Sequence, residues 1–342
     1  MPRYTPPVIF LGIFITVFIS TGSLTAQSKN AKGTVPVIFD TDMGPDYDDV
    51  GAIAILHALA DSGKCTILAT MASNKHSRVA AVLDVLNTYF KRPNTPIGVV
   101  SGQAIDLPAP QKWDSILVSG YPHKIKTNSQ VPDATNLYRK ILAKQPDKSV
   151  TIVTVGFFTN MANLLASGPD KYSKLNGKAL VEKKVSRLVC MAGRFDHEMG
   201  VFKEFNVVKD AQSAKFTFDN WPTPILFSGF EIGAYIHTGL PIVNSAITKS
   251  PVKEVFAISI PLDPNDSKGR MSWDETAVLV AVKDYKEYYS IVEGAIIGKE
   301  DGSNGWDPKG SRDAYLVQKM PVEQMEKILN DLISHQPIVQ KK

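Results

Sequence analysis

Five aspartates, Asp40, Asp42, Asp46, Asp48 and Asp49, fall within ten residues of one chain segment, IFDTDMGPDYDDVGAIAI at positions 38–55. Two carboxylates about 4 Å apart repel by roughly 4 kcal/mol at an effective dielectric near 20. A helix N-terminus offsets only about 1 kcal/mol of that. A bound divalent cation offsets far more, and oxygen donors at this density favour Ca²⁺ or Mg²⁺ over zinc. The plainer reading is a solvated loop in which Asp48 or Asp49 caps a helix. An EF-hand does not fit. Counted from Asp40, its required Gly and Glu positions hold Pro45 and Gly51. An aspartyl phosphatase also places Asp-x-Asp after a first strand. Here Met43-Gly44 stands where that chemistry has a Thr, and no late Asp-Asp pair is evident.

The elements around the cluster fix where it must sit. VPVIFD, ending at Asp40, reads as a strand of continuous apolar character, as in a parallel sheet covered on both faces. Asp49 to Ala60 reads as a helix, with Gly63 as its stop. The acids therefore lie at the carboxyl end of a strand, where open α/β sheets bind their ligands. CTILATMA, PIGVV, VTIVTV, SRLVCMAG and TPILFSG read as further strands. RVAAVLDVLNTYF, LYRKILAKQ, TNMANLLAS, KDAQSAKFTFD, WDETAVLVAVK and VEQMEKILNDLIS read as helices. YYSIVEGAIIG and the turn DGSNG suggest a late strand pair. Gln103 to Asn136 reads as a long loop with one short helix, and loops of that length often border a site. The alternation predicts one α/β domain from about residue 33 to 342, an open, mostly parallel sheet flanked by helices.

Bulk properties exclude several classes. The chain has 342 residues, and its 38 Lys and Arg exceed its 34 Asp and Glu by only four. The basic residues are scattered, so no nucleic-acid footprint is expected. Cys65 and Cys190 sit in apolar runs and read as buried thiols, and no zinc-like spacing occurs. Arg3, the apolar run Val8 to Ser20 and the small residues to Ala26 have the order of a secretory signal peptide. The run is short of the ~20 residues of a spanning helix. Cleavage after Ala26 would give an exported protein, periplasmic or secreted, with no stable membrane insertion.

With these motifs in order, the chain resembles the nucleoside hydrolases of the inosine–uridine-preferring type. D-x-D-x-G followed by a double Asp, MASN, VTVGFFTNMANL, MAGRF, KEFNVVKDAQSA and SWDETAVLVAV carry the resemblance over most of the mature chain. It implies a Rossmann-like core and calcium-dependent hydrolysis of the N-glycosidic bond between ribose and a nucleobase. Asp42, Asp49, Asp274 and the carbonyl of Val155 would hold Ca²⁺, with Asp42 also the general base for the attacking water. Asp48, Asn74, Glu204 and Asn206 would grip the ribose hydroxyls beside an oxocarbenium-like transition state. Asp40 would orient the loop. A homo-oligomer is implied, since members are commonly dimers or tetramers.

The match departs from the family at three places. Pro45, Asp46 and Tyr47 intervene between Gly44 and the double Asp, where the family has one residue, so either Asp46 or Asp48 could take the ribose role; adjacency to Asp49 favours Asp48. Glu198-Met199-Gly200 stands where many members carry a sugar-holding Asn. Trp273 precedes the last metal-binding Asp, where the pyrimidine-tolerant branch has a His. The purine-preferring branch has a Trp there, so purine is the expected base, stacked on Trp273, with Trp113 as a second ring. His76, His123 and His197 remain as substitute acids. Two further readings are a non-catalytic binder of nucleosides or ribosyl ligands and a hydrolase of another N-ribosyl compound. The full set of acids, Asp42, Asp49 and Asp274, argues against a pure binder.

Overall fold

The computed structural model describes residues 1–2, 33–196 and 203–337. The expected leader lies outside these apart from Met1 and Pro2, and so do His197 and the Glu198-Met199-Gly200 turn.

The apolar runs become strands β1 (Val35–Thr41), β2 (Cys65–Ala72), β3 (Ile97–Val99), β4 (Val150–Thr154), β5 (Val185–Met191) and β6 (Ile225–Ser228). The two-residue strands β7 (His237–Thr238) and β8 (Arg270–Met271) pair with each other alone. β9 (Tyr289–Gly298), β10 (Asn304–Asp307) and β11 (Asp313–Gln318) complete the set among the described residues. The main sheet runs β10-β9-β11-β6-β5-β4-β1-β2-β3. β1 to β6 and β11 are parallel, while β9 and β10 close one edge antiparallel.

The period of two along each strand feeds two cores. Val37 and Phe39 of β1 pack into one core, with the helices Asp48–Asp61, Val79–Tyr89, Trp273–Val282 and Val322–Ile333. Ile38 packs into the other, with the helices Ala134–Leu142, Thr159–Ala166, Gly177–Lys184 and Ala211–Asn220. The result is three layers with the sheet in the middle. Order reverses at β1, with β2 and β3 on one side and β4 on the other. In such sheets the ligand crevice opens at that reversal, beyond the carboxyl ends of the strands. Asp42 follows β1 and Val155 follows β4.

Several elements differ from the sequence reading. KDAQSAKFTFD is not a single helix: Phe205–Lys209 and Ala211–Asn220 are separate helices that meet at Asp210. β11 had no sequence reading; its half-exposed residues lack a clear alternation, yet it pairs with both β6 and β9. The stretch between β6 and the helix Trp273–Val282 carries three short helices and the β7–β8 pair, and these shape one wall of the site. Cys65 and Cys190 are buried and free.

Candidate active site

A cavity of about 280 Å³ opens at the reversal point. Asp42, Asp46 and Asp48 line it from the loop after β1, and Val155 from the end of β4. Met191 lines it from the end of β5, and Glu204, Phe205 and Asn206 from the segment that follows. Phe230, Asp263, Asn265, Arg270 and Met271 come from the chain between β6 and the buried helix Trp273–Val282, and Trp273 and Asp274 are the first residues of that helix. It is thus a cleft with an acidic floor and an aromatic end.

The acids are buried and feel one another. Burial, then the charges of Asp49, Asp46 and Asp48, hold the Asp42 carboxyl well above the ordinary carboxylate range. Burial, then Asp48, Asp49 and Asp42, does the same to Asp274. Asp49 is raised by burial and by Asp48; it lies behind the cavity wall, where Thr41 Oγ1 donates to its Oδ1 and its Oδ2 is buried without a partner. Gly156 permits the close approach that brings β4 to this floor. A Cβ there would stand 2.3 Å from the Asp42 nitrogen and 2.7 Å from Ser73 Oγ. Asp40, at the end of β1, is enclosed away from the cavity, and its Oδ2 accepts from Tyr138 Oη at 2.8 Å and Asn160 Nδ2 at 2.9 Å. That suits the loop-orienting part expected of it.

Arg270 is the cation of the site, and the sequence reading missed it. Its Nε and Nη2 donate to Asp48 Oδ1 at 3.1 and 3.0 Å, and Nη2 also pairs with Asp46. The guanidinium carbon lies 4.8 Å from the Tyr47 ring centroid and 5.1 Å from that of Trp273. Burial lifts Asp46 to a pKa of about 6 even with Arg270 opposing it.

Glu204 and Asn206 stand on the opposite wall. Glu204 caps the helix Phe205–Lys209, accepting from the backbone N–H of Asn206 and Val207 at 2.8 and 3.0 Å and from that of Gly193 at 3.2 Å. Burial raises it to about 7. Asn206 Nδ2 donates to the Val155 carbonyl at 3.0 Å and reaches the Met191 carbonyl at 3.3 Å.

Two expected site residues stand elsewhere. Asn74 is buried and does not line the cavity. Its Nδ2 donates to the carbonyls of Asp42 and Leu107 at 3.0 and 2.8 Å, and its Oδ1 accepts from the N–H of His76 and Leu107. Both amide hydrogens and both acceptor sites are thus in use. Trp113 begins the helix Trp113–Gly120 with its ring enclosed in the core at 0 % exposure, so it offers no face to a ligand here. The ring beside Trp273 is instead Phe230, with centroids 5.3 Å apart at 32°. His76 faces Asp106 and Asp114, and His123 bonds the Tyr121 carbonyl and Lys126. Neither lines the cavity.

Known proteins resemble this chain in sequence and in fold. The pyrimidine-specific ribonucleoside hydrolase RihA of Enterobacter sp. (strain 638) is 26% identical over 213 residues, 58% of this chain and 60% of that protein. The chain thus spans about three-fifths of the length of the curated relative it matches. A purine-preferring ribonucleoside hydrolase from Gardnerella vaginalis superposes with a TM-score of 0.67 at 16% identity, covering 87% of this chain and 98% of that one. The plant nucleoside hydrolase PpNRh1 superposes with a TM-score of 0.65 at 19% identity, covering 88% and 99%. These likenesses show the fold. The family model described as inosine-uridine preferring nucleoside hydrolase matches residues 37–309, and the chain belongs to that family.

Proposed function

We propose that this protein hydrolyses the N-glycosidic bond of ribonucleosides, purines in preference, with one calcium ion at the acid cluster. One observation carries the reading. Asp42, Asp48, Glu204, Asn206 and Asp274, acceptors and donors suited to a sugar, line the same cavity as Val155 and Trp273. A group that holds ribose and a ring that holds a base meet in one place.

The donor set suits a hard dication. Asp42, Asp49, Asp274 and the Val155 carbonyl offer only oxygen, as Ca²⁺ prefers. Asp49 Oδ2 is a buried acceptor without a partner, of the kind a cation would satisfy. Among the described residues no three acidic, His or Cys side chains already converge on one point, so the fit rests on donor chemistry. When bound, the cation would lower the pKa of a water and orient it.

The side chains then divide the work. Asp42 would serve as the general base that takes the proton of the attacking water. Asp48, Glu204 and Asn206 hold the ribose hydroxyls, which turns binding energy into position. Trp273 and Phe230 cover the base. The indole N–H of Trp273 already donates to the Phe230 carbonyl, so that residue works through its face.

The test is ribose release from inosine, guanosine, adenosine, uridine and cytidine by the purified protein, with calcium and with chelator. Calcium-dependent ribose from inosine supports the reading; no ribose from any nucleoside would refute it. A second base preference has its own support, because the RihA relative is by name pyrimidine-specific. Uridine or cytidine turned over faster than inosine would decide for it. We also propose export after loss of Met1 to Ala26, checked by N-terminal sequencing of protein from its host, and a homo-oligomer, checked by light scattering.

A further inference from the structure

Arg270 belongs to none of the motifs that define the site, yet more interactions converge on it than on any sugar-facing group described above. It sits on β8, and its side chain is almost wholly buried at the cavity wall. Three carboxylates surround it: Asp48, Asp46 and, at 3.6 Å from Nη1, Asp266. Tyr47 closes the ring of contacts, since its hydroxyl donates to Asp266 Oδ2 and its ring lies under the guanidinium. Asp46 and Tyr47 are the residues that lengthen the stretch between Gly44 and the double Asp. The longer loop therefore has a structural partner. Two residues of it grip the segment Asp266–Arg270, and that segment grips Asp48.

The contacts leave Asp48 with a defined capacity. Oδ1 accepts both Nε and Nη2 of Arg270. Oδ2 receives only a long contact, 3.4 Å, from the Asp274 N–H. Two guanidinium donors on one oxygen anchor Oδ1 at a defined place and leave Oδ2 uncommitted to Arg270. Asp48 lines the cavity, and Oδ2 keeps capacity to accept a further hydrogen bond. The cavity bears one guanidinium against six carboxyl side chains, and that guanidinium is committed to its neighbours. It is therefore not an anion site for a phosphorylated ligand.

We infer that Arg270 is a positioning residue for sugar recognition: braced by Asp46, Tyr47 and Asp266, it anchors Asp48 so that Asp48 accepts a hydrogen bond from a ribose hydroxyl. This deepens the nucleoside hydrolase reading and rests on Asp48 facing the sugar. The consequence is specificity. Discrimination between ribose and 2-deoxyribose should depend on Arg270, although Arg270 itself touches neither.

The experiment uses the full mature chain loaded with calcium, as parent, Arg270→Lys and Arg270→Met. Arg270→Met leaves three carboxylates unpaired, so the milder Arg270→Lys keeps the test valid if the Met variant does not fold. Two quantities are measured for each: kcat/KM for inosine relative to 2′-deoxyinosine, and calorimetric affinity for D-ribose relative to 2-deoxy-D-ribose. The expected result is a ribo-to-deoxy ratio lowered at least about tenfold in Arg270→Lys, the loss of roughly one charge-assisted hydrogen bond, with calcium content unchanged. Unchanged ratios in a folded, calcium-loaded variant overturn the inference while the hydrolase reading stands. A parent that binds ribose selectively but releases none from nucleosides, with selectivity lost in Arg270→Lys, overturns the hydrolase reading and supports the inference. A parent that neither hydrolyses nor binds overturns both.

Discussion

Trp273 donates its indole N–H to the Phe230 carbonyl, 2.8 Å away, and the two rings stand 5.3 Å apart at 32°. The helix Phe230–Gly233 can lie this close because Gly233 has no side chain; a Cβ there would meet the Trp273 Cα at 2.4 Å. The indole is thereby fixed in direction at the cavity wall. Trp273→Ala should lower kcat/KM for inosine about tenfold to a hundredfold, as expected for a base-stacking contact of ~1–3 kcal/mol. Uridine should lose less, and kcat should fall as well as KM rise if the stack strengthens in the transition state. A soluble, calcium-loaded variant with parental kcat would make Trp273 a packing residue.

Asn74 gives a different forecast from the one its sequence motif suggests. All its amide groups tie the loop after β1 to the segment at Leu107 and His76. Asn74→Ala would leave two carbonyls and two N–H groups without this partner. The expected cost is about 1–3 kcal/mol of stability, read by urea unfolding of the metal-free protein. Parental stability combined with a raised KM would return Asn74 to the sugar.

The acidic half of the site was legible because its signal is local. Asp42, Asp48 and Asp49 lie at one strand end, and the strand's position follows from its own apolar pattern. Asp274 was reached through a second motif on a second buried helix. Arg270 was not legible, since it meets Asp48 across 222 positions of sequence and sits on a two-residue strand without periodicity. Trp113 shows the opposite failure. A tryptophan in a long polar loop looked available, but that loop folds a helix of its own and turns the ring into the core. Asn74 was located correctly at the end of β2, yet only the loop geometry reveals that its amide is occupied.

The calcium proposal makes a joint forecast for binding and stability. Neutralising mutually repelling carboxylates should stabilise the fold, so calcium should raise the Tm in a concentration-dependent way. Asp49→Ala should abolish that rise, the bound calcium and the activity together. Asp49 stands behind the wall and makes no cavity contact, so a pure sugar-binding role would not predict this set of losses. Stoichiometric calcium in the purified variant, measured by atomic emission, would remove Asp49 from the ligand set.

Far from the cleft, His57 sets a limit on acid stability. The ring is wholly buried in the helix Asp48–Asp61 and stacks on Phe90, with centroids 4.6 Å apart at 12°. Nε2 donates to Asn87 Oδ1 at 3.1 Å, which leaves Nδ1 to accept from Arg92 Nη1 at 3.4 Å. A second proton would have to enter at Nδ1, in the dark of the core and facing a guanidinium. Burial, then the charge of Arg92, accordingly lowers the pKa from 6.5 to about 3. Between those two values the unfolded chain binds a proton that the folded chain does not. The stabilisation is complete above pH 6.5 and is lost progressively as pH falls toward 3, at up to about 1.4 kcal/mol per pH unit. Below about 3 both states carry the proton and this contribution stops changing. His57→Gln keeps a donor for Asn87 without the titration, so its stability should fall less steeply over the same interval. Urea unfolding at a series of pH values, with chelator present so that metal binding adds no pH dependence of its own, measures both slopes, and the carboxylates, common to both proteins, cancel in the difference. Equal slopes in variant and parent would show that His57 does not control acid unfolding, whereas a flattened slope with unchanged nucleoside turnover at neutral pH assigns the effect to this one imidazole.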